Sequence, residues 1–132
     1  MKYFADTFYL IALANPNDQF HARAVAWTLG FQGQIVTTSW VIAEFADAMA
    51  SYRNRARCIA MLGDLRTSTQ SKVYPPEPTL FEDGLNLYGA RLDKDWSLTD
   101  CISFVVMERE GIHEELTGDH HFEQAGFVAL LK

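Results

Sequence analysis

The chain has 132 residues, enough for one domain with a sizeable core, and its 48% hydrophobic and 13% aromatic content excludes a disordered chain. No apolar run approaches the ~18 residues of a membrane span, and Asp6 interrupts the N-terminus too early for a secretory signal, so we expect a cytoplasmic protein. The net charge of −6 argues against a nucleic-acid partner only weakly. Without the four carboxylates of the site predicted below, 11 basic residues face 13 acidic ones, or −2.

Apolar periodicity and turn residues predict strands that alternate with helices along the chain. In chain order we expect a strand at 3–5, helices around 8–13 and at 19–29 (capped by Asp18), a strand at 34–38, helices at 39–50 and around 58–65, a strand at 72–74, helices around 80–88 and 101–106, and strands within 113–117 and 127–131. This alternation is typical of a parallel sheet covered on both faces. We therefore predict a single α/β domain over 1–132.

Four acidic residues stand at or just beyond the points where predicted strands pass into helices: Asp6, Glu44, Asp100 and Asp119. These points meet at the carboxyl edge of a parallel sheet, where ligands usually bind. Four carboxylates repel one another unless a cation compensates them. Hard oxygen donors without paired histidines or cysteines favour Mg²⁺ or Mn²⁺ over zinc. The pattern predicts a divalent metal site.

Each carboxylate also has a purely structural interpretation. Asp6 can cap the helix that follows it, and Ser97-Leu98-Thr99-Asp100 fits a capping box. Glu44 lies inside a helix, on the flank of its apolar stripe, and Asp119 follows Gly118 in a turn that favours Asp. The adjacent His120 and His121 are expected to be surface imidazoles rather than metal ligands.

The chain resembles the PIN domain, and especially the VapC-like toxins of bacterial toxin–antitoxin systems, over nearly its whole length. The resemblance is carried by four segments in matching order: Ala5-Asp6-Thr7, Val41-Ile42-Ala43-Glu44, Ser97-Leu98-Thr99-Asp100-Cys101, and Leu116-Thr117-Gly118-Asp119-His120-His121-Phe122. It implies a three-layer α/β/α sandwich with a central parallel sheet of about five strands. It also implies a homodimer.

The resemblance further implies a metal-dependent endoribonuclease that hydrolyses RNA phosphodiester bonds with a metal-activated water, acting as the toxin of a type II pair. Asp6, Glu44 and Asp100 would be the metal ligands and catalytic residues, and Asp119 would complete the pocket, with Mg²⁺ or Mn²⁺ as cofactor. A cognate antitoxin would place a segment in the acidic groove, offering an Arg to the carboxylates. Many relatives carry a small polar residue where this chain has Phe8.

Two other functions stay open on the sequence alone. A non-catalytic PIN-like module that binds protein or RNA would tolerate Phe8, although it has no need to keep repelling carboxylates together. A phosphotransfer or phosphatase domain would want a second acidic residue near Asp6 and, for a receiver-like module, a lysine near the last strand. Asp6 has no acidic neighbour, and no Lys lies between 95 and 131.

The residues that could bind a substrate, and the two cysteines, carry weaker sequence signals. Arg53, Arg55 and Arg57 form the densest basic cluster. Arg53 and Arg57 would share a helix face suited to phosphate, but a solvated helix start is the favoured interpretation. The three tryptophans suit either base stacking or packing. Cys58 and Cys101 are expected to be buried, reduced thiols, because no cysteine pair has zinc-site spacing.

Overall fold

The computed structural model describes all residues, 1–132, and contains five strands and seven helices. In chain order the elements are β1 (Lys2–Ala5), α1 (Thr7–Ala14), α2 (His21–Leu29), β2 (Gln34–Thr38), α3 (Ser39–Ala48), α4 (Arg55–Thr67), β3 (Ser71–Tyr74), α5 (Pro78–Ala90), α6 (Leu98–Glu110), β4 (Glu114–Leu116), α7 (His120–Gln124) and β5 (Val128–Ala129). The predicted α/β fold, with a parallel sheet of five strands between helices, is confirmed.

The sheet has the strand order β3-β2-β1-β4-β5, and every neighbouring pair is parallel. The chain therefore winds outward from β1 through β2 to β3, and then returns to add β4 on the other side of β1. The order reverses between β1 and β4, and such a switch point opens a crevice at the carboxyl ends of the two strands. Phe4 pairs with Glu115 and Ala5 with Leu116, so Asp6 and Thr117 leave the sheet side by side.

The core consists of 25 buried hydrophobic residues, contributed by the strands and by the helices that pack on the sheet. Phe4 and Val36, in the two central strands, are fully buried because both faces of the sheet are covered. Helices α5 and α6 approach each other closely at Gly84, where any side chain would collide with Ile102. This close packing fixes α6, and with it Asp100, against its neighbour.

The amino-terminal edge of the sheet is tied together by one carboxylate at the end of α6. Glu110 accepts hydrogen bonds from Lys2 Nζ at 2.9 Å, Lys72 Nζ at 2.7 Å and the Tyr74 hydroxyl at 2.6 Å. Its side chain is only 6% exposed, and these donors lower the pKa of Glu110 to about 2, the Lys72 bond being the largest cause. The cluster therefore links β1, β3 and α6.

Several predicted boundaries differ from the observed ones. α2 begins at His21, because the Asp18 side chain accepts the Phe20 amide in a preceding turn instead of capping the helix directly. The last two strands are shorter than the predicted ranges, and the five-residue α7 was not predicted. The expectation that Arg53 lies on a helix face is wrong, since α4 starts at Arg55 and residues 51–54 form turns.

The cysteines and tryptophans pack within the fold. Both cysteines are free and buried. Trp96 is buried, Trp27 packs against Tyr3, and Trp40 stacks on Phe81, so the tryptophans serve packing within the fold. None of the helices has the length and apolar content needed to cross a membrane.

Candidate active site

The structure brings the four predicted carboxylates to one edge of the sheet. Asp6 directly follows β1, and Glu44 lies in the second turn of α3, which follows β2. Asp100 is the third residue of α6, and Asp119 precedes α7 after β4. The charges of Glu44 and Asp100 both act on Asp6, and the charge of Asp119 acts on Asp100. The four side chains thus form one electrostatically connected group.

Asp6 is the most deeply placed member of the group. It is 5% exposed and occupies the N-cap position of α1, yet its side chain makes no capping hydrogen bond. Instead, one of its oxygens accepts a hydrogen bond of 3.2 Å from the Thr117 hydroxyl across the β1–β4 crevice. Burial, followed by the charge of Asp100, raises the pKa of Asp6 from its ordinary 3.8 to about 7. The contacts of the Asp6 side chain therefore do not support its interpretation as a helix cap.

Asp100 has both of the roles considered for it. Its Oδ2 accepts the Ser97 amide at 3.1 Å while the Ser97 hydroxyl accepts the Asp100 amide at 3.0 Å, which completes the capping box. The same Oδ2 lies 3.2 Å from Nδ1 of His121. Burial, with a smaller contribution from Asp119, raises the pKa of Asp100. A capping carboxylate and a site carboxylate are here one group.

Glu44 and Asp119 form the more open side of the group. Glu44 is exposed on α3. Asp119 has a side chain 32% exposed and caps α7 by accepting the His121 amide at 2.9 Å. Solvent can therefore reach the group from this side, while Asp6 and Asp100 form its buried side.

Two further residues, Thr117 and His121, connect the carboxylates. Thr117 was not among the predicted site residues, and the expectation that His121 is a surface imidazole is wrong. The Thr117 hydroxyl donates to Asp6 and also accepts the Asp119 amide at 3.0 Å, so it links two members of the group. Nδ1 of His121 lies between Asp100, at 3.2 Å, and Oδ2 of Asp119, at 3.5 Å. The sequence signal for Thr117 was its place directly after β4, beside Asp6.

The two histidines differ, although they are adjacent. The His120 side chain is 69% exposed, as expected of a surface imidazole, whereas that of His121 is 20% exposed and faces the carboxylates. Ligand atoms of Asp119, His120 and His121 nevertheless lie within 4.8 Å of one another. The sequence signal for His121 was its spacing, because the second residue after an N-cap lies in the first helical turn and points back toward the cap.

A fifth carboxylate, Glu115, lies beneath the group. It is fully buried in β4, and neither of its oxygens has a hydrogen-bond partner. Burial, followed by the charges of Asp6 and Asp100, raises the pKa of Glu115 well above its ordinary value. The sequence placed this residue in a strand without showing which way it faces.

The donor set fits a divalent cation. The carboxylates that follow β1 and lie in α3 and α6 act on one another electrostatically, and such hard ligands would suit Mg²⁺ or Mn²⁺. The raised pKa values of Asp6 and Asp100 show that burial and mutual repulsion are only partly balanced by protein donors. A positive ion at this edge would supply the missing compensation.

Phe8 occupies space beside the acidic group. Its ring packs against Phe20, with centroids 4.8 Å apart, and lies directly over Gly118. A Cβ at Gly118 would stand 2.6 Å from the ring, so the Phe8 side chain and the absence of a side chain at 118 are matched. The departure noted in the sequence is therefore accommodated by packing.

The arginine cluster is partly committed to the fold. Arg57 donates to the Ala14 carbonyl at 2.8 Å, and Arg55 donates to the Ala50 carbonyl at 2.8 Å. Arg53 lies over the ring of Tyr52 on the surface. The hydrogen bonds of Arg55 and Arg57 to backbone carbonyls favour the structural interpretation for these two.

Comparison with known proteins identifies relatives of the same size. The chain is 27% identical over 127 residues to the 23S rRNA-specific endonuclease VapC20 of Mycobacterium tuberculosis, covering 96% of each chain. The crystal structure of that protein, described as a sarcin–ricin loop cleaving toxin, matches with a TM-score of 0.86 at 25% identity, again over 96% of each chain.

More distant structures share the fold. FitAcB from Neisseria gonorrhoeae matches with a TM-score of 0.63 at 17% identity, over 96% of this chain and 94% of that one. FitAB bound to an IR36 DNA fragment matches with a TM-score of 0.65 at 15% identity, over 96% and 92%. No protein-family model matches the chain. Taken with the acidic group at the switch point, the full-length similarity in sequence and structure to VapC20 supports the resemblance to VapC-like PIN-domain proteins that the sequence motifs indicated.

Proposed function

We propose that this chain is a metal-dependent endoribonuclease that hydrolyses RNA phosphodiester bonds, forms a single PIN-like domain over 1–132, and serves as the toxin of a type II toxin–antitoxin pair. The observation that carries the proposal is the buried pair of Asp6 and Asp100, joined by Glu44 and Asp119, at the sheet's switch point. The similarity of this chain to VapC20 over 96% of its length supports the same activity.

Asp6, Glu44 and Asp100 would hold Mg²⁺ or Mn²⁺, with Asp119 completing the pocket. The ion, when bound, would activate a water for in-line attack and stabilise charge on the phosphate oxygens. The chain's own residues prepare this edge in advance. Thr117 holds one oxygen of Asp6, while the Ser97 amide and His121 hold one oxygen of Asp100.

Protonation of Asp6 sets the pH range of cation binding. Because its pKa is raised to about 7, Asp6 carries a proton in much of the metal-free population at neutral pH and below. A cation must displace that proton, so affinity falls as the pH drops below about 7. The group is exposed at Glu44 and buried at Asp6 and Asp100, so a phosphodiester would approach from the side of Glu44 and Asp119.

The substrate and partners follow from the same proposal. The sarcin–ricin loop of 23S rRNA is the first RNA to test, because it is the named target of the similar toxin. The enzyme would act in the cytoplasm, as a homodimer. A cognate antitoxin would silence it by placing a segment, with an Arg facing the carboxylates, in the acidic groove.

The test is cleavage of a sarcin–ricin loop oligonucleotide, and of total RNA, with Mn²⁺, Mg²⁺ or EDTA. Wild type is compared with Asp6→Asn and Asp100→Asn, and with Asp47→Asn, an exposed residue of α3, as the matched control. Loss of a cap costs only ~1 kcal/mol, so the Asp100 variant should stay folded. We expect metal-dependent cleavage in wild type and the control, and none in the site variants.

Two results would contradict the proposal in different ways. Cleavage that survives in both site variants would show that the acidic group is not needed for the reaction. Absence of both cleavage and Mn²⁺ binding would favour the non-catalytic binding module instead.

A further inference from the structure

The register of the sheet places Glu115 directly beneath the acidic group. Glu115 pairs with Phe4, two residues before Asp6, and lies two residues before Thr117, whose hydroxyl holds Asp6. Glu115 lies beside Phe4 in the parallel register, one residue pair before the ends of β1 and β4, and the charges of Asp6 and Asp100 both reach it.

The side chain of Glu115 has no structural function visible in its contacts. It is fully buried, forms no ion pair, and leaves both carboxyl oxygens without a hydrogen-bond partner. An uncompensated carboxyl in the interior is costly. Only one other buried side-chain oxygen in the molecule lacks a partner, Thr7 Oγ1, in the residue next to Asp6. Both unpartnered side chains thus belong to the surroundings of Asp6.

The neighbours of Glu115 indicate what would compensate it. The charges of Asp6 and Asp100 both act on Glu115, so its surroundings are negative and unsuited to an anion. A divalent cation held by Asp6 and Asp100 would be attracted by Glu115 as well. An inert buried acid, by contrast, would gain nothing from this position.

We propose that Glu115 is a positioning residue of the acidic site that raises its affinity for a divalent cation from beneath Asp6 and Asp100. The inference rests on the proposed function, since it concerns the same cation. It adds a fifth carboxylate to the four that the sequence pattern identified. Residues that support metal ligands from behind typically change metal affinity 10- to 100-fold when they are replaced.

The experiment is calorimetric titration of the purified protein with Mn²⁺ alone, without RNA. Wild type is compared with Glu115→Gln, with Glu115→Met as a second uncharged variant, and with Glu114→Gln as the matched control from the same strand but the opposite face. We expect Kd for Mn²⁺ to rise by about 10- to 100-fold in both Glu115 variants and to stay within twofold in the control.

Thermal unfolding separates this role from a purely structural one. In EDTA the Glu115 variants should unfold at or above the wild-type Tm, because a costly buried carboxyl is removed, while the Tm gain on adding Mn²⁺ should shrink. Folded variants that bind Mn²⁺ within twofold of wild type would overturn the inference alone. Wild type that binds no Mn²⁺, or Asp6→Asn that binds as tightly as wild type, would overturn the proposed metal site and the inference with it.

Discussion

Replacing Asp6 by Asn should stabilise the metal-free protein, because the native carboxylate is held where its charge is unfavourable. The pKa of Asp6 is raised from 3.8 to about 7, mainly by burial and next by Asp100. The folded state therefore binds the proton more tightly than the unfolded state does. For such a group, the folded protein loses stability as the pH rises from about 4 through about 7.

The size of this stability change follows from the shift in the pKa of Asp6. A rise from 3.8 to about 7 corresponds to about 4 kcal/mol at pH 8 as an upper bound, of which roughly 2–3 kcal/mol develops between pH 5 and pH 8. Asn keeps an oxygen that can accept the Thr117 hydroxyl, although its amide group is also buried. We therefore expect Asp6→Asn to gain about 1–3 kcal/mol at pH 8 and much less at pH 5.

Urea unfolding in EDTA at pH 5 and pH 8 measures this directly, with Asp47→Asn as an exposed control that should change by less than about 0.5 kcal/mol. The same substitution should abolish RNA cleavage, so stability and activity change in opposite directions. If Asp6→Asn is no more stable than wild type at pH 8, or if both proteins share one pH dependence, the electrostatic argument for this site is refuted.

Other predictions concern the rest of the fold and the site. Glu110→Gln should lower the free energy of unfolding by about 2 kcal/mol at pH 7 by urea titration, with the deficit shrinking as the pH falls from 4.5 toward about 2, because the pKa of Glu110 is depressed. His121→Ala should weaken Mn²⁺ binding about 10-fold by calorimetry, because Asp100 loses the imidazole beside it, whereas an equal loss in His120→Ala would contradict a specific role. Gly118→Ala should cost about 1–3 kcal/mol of stability by crowding Phe8, and a Phe8→Leu background should recover most of it; purely additive losses would show that the ring is not the cause.

The sheet and the acidic group were predictable because strong local patterns encode them. The β-branched residues at 34–38 predict β2 with its observed bounds, since Ile, Val and Thr are enriched in strands. Asp6 and Asp100 follow directly from their positions at the start of α1 and α6. Parallel strands bring Asp6 to the carboxyl edge of the sheet, whereas the expected strand before Asp100 is absent, because α6 follows α5 directly and Asp100 reaches the same edge through the packing of α6.

Other features depended on information that local patterns do not contain. A five-residue helix such as α7 is too short to show a full amphipathic repeat. The direction of Glu115 could not be read from a strand buried on both faces, because alternation carries no signal there. The position of His121 relative to Asp100 depends on how α7 meets α6, which is a tertiary contact.

Helix α6 connects the acidic group to the hydrogen-bonded cluster around Glu110. Asp100 stands in its first turn and Glu110 in its last, and a helix of 13 residues is about 20 Å long. Because Lys2, Lys72 and Tyr74 hold Glu110 against β1 and β3, they also restrain the helix that carries Asp100. Residues remote from the acidic group thus contribute to the position of one of its carboxylates.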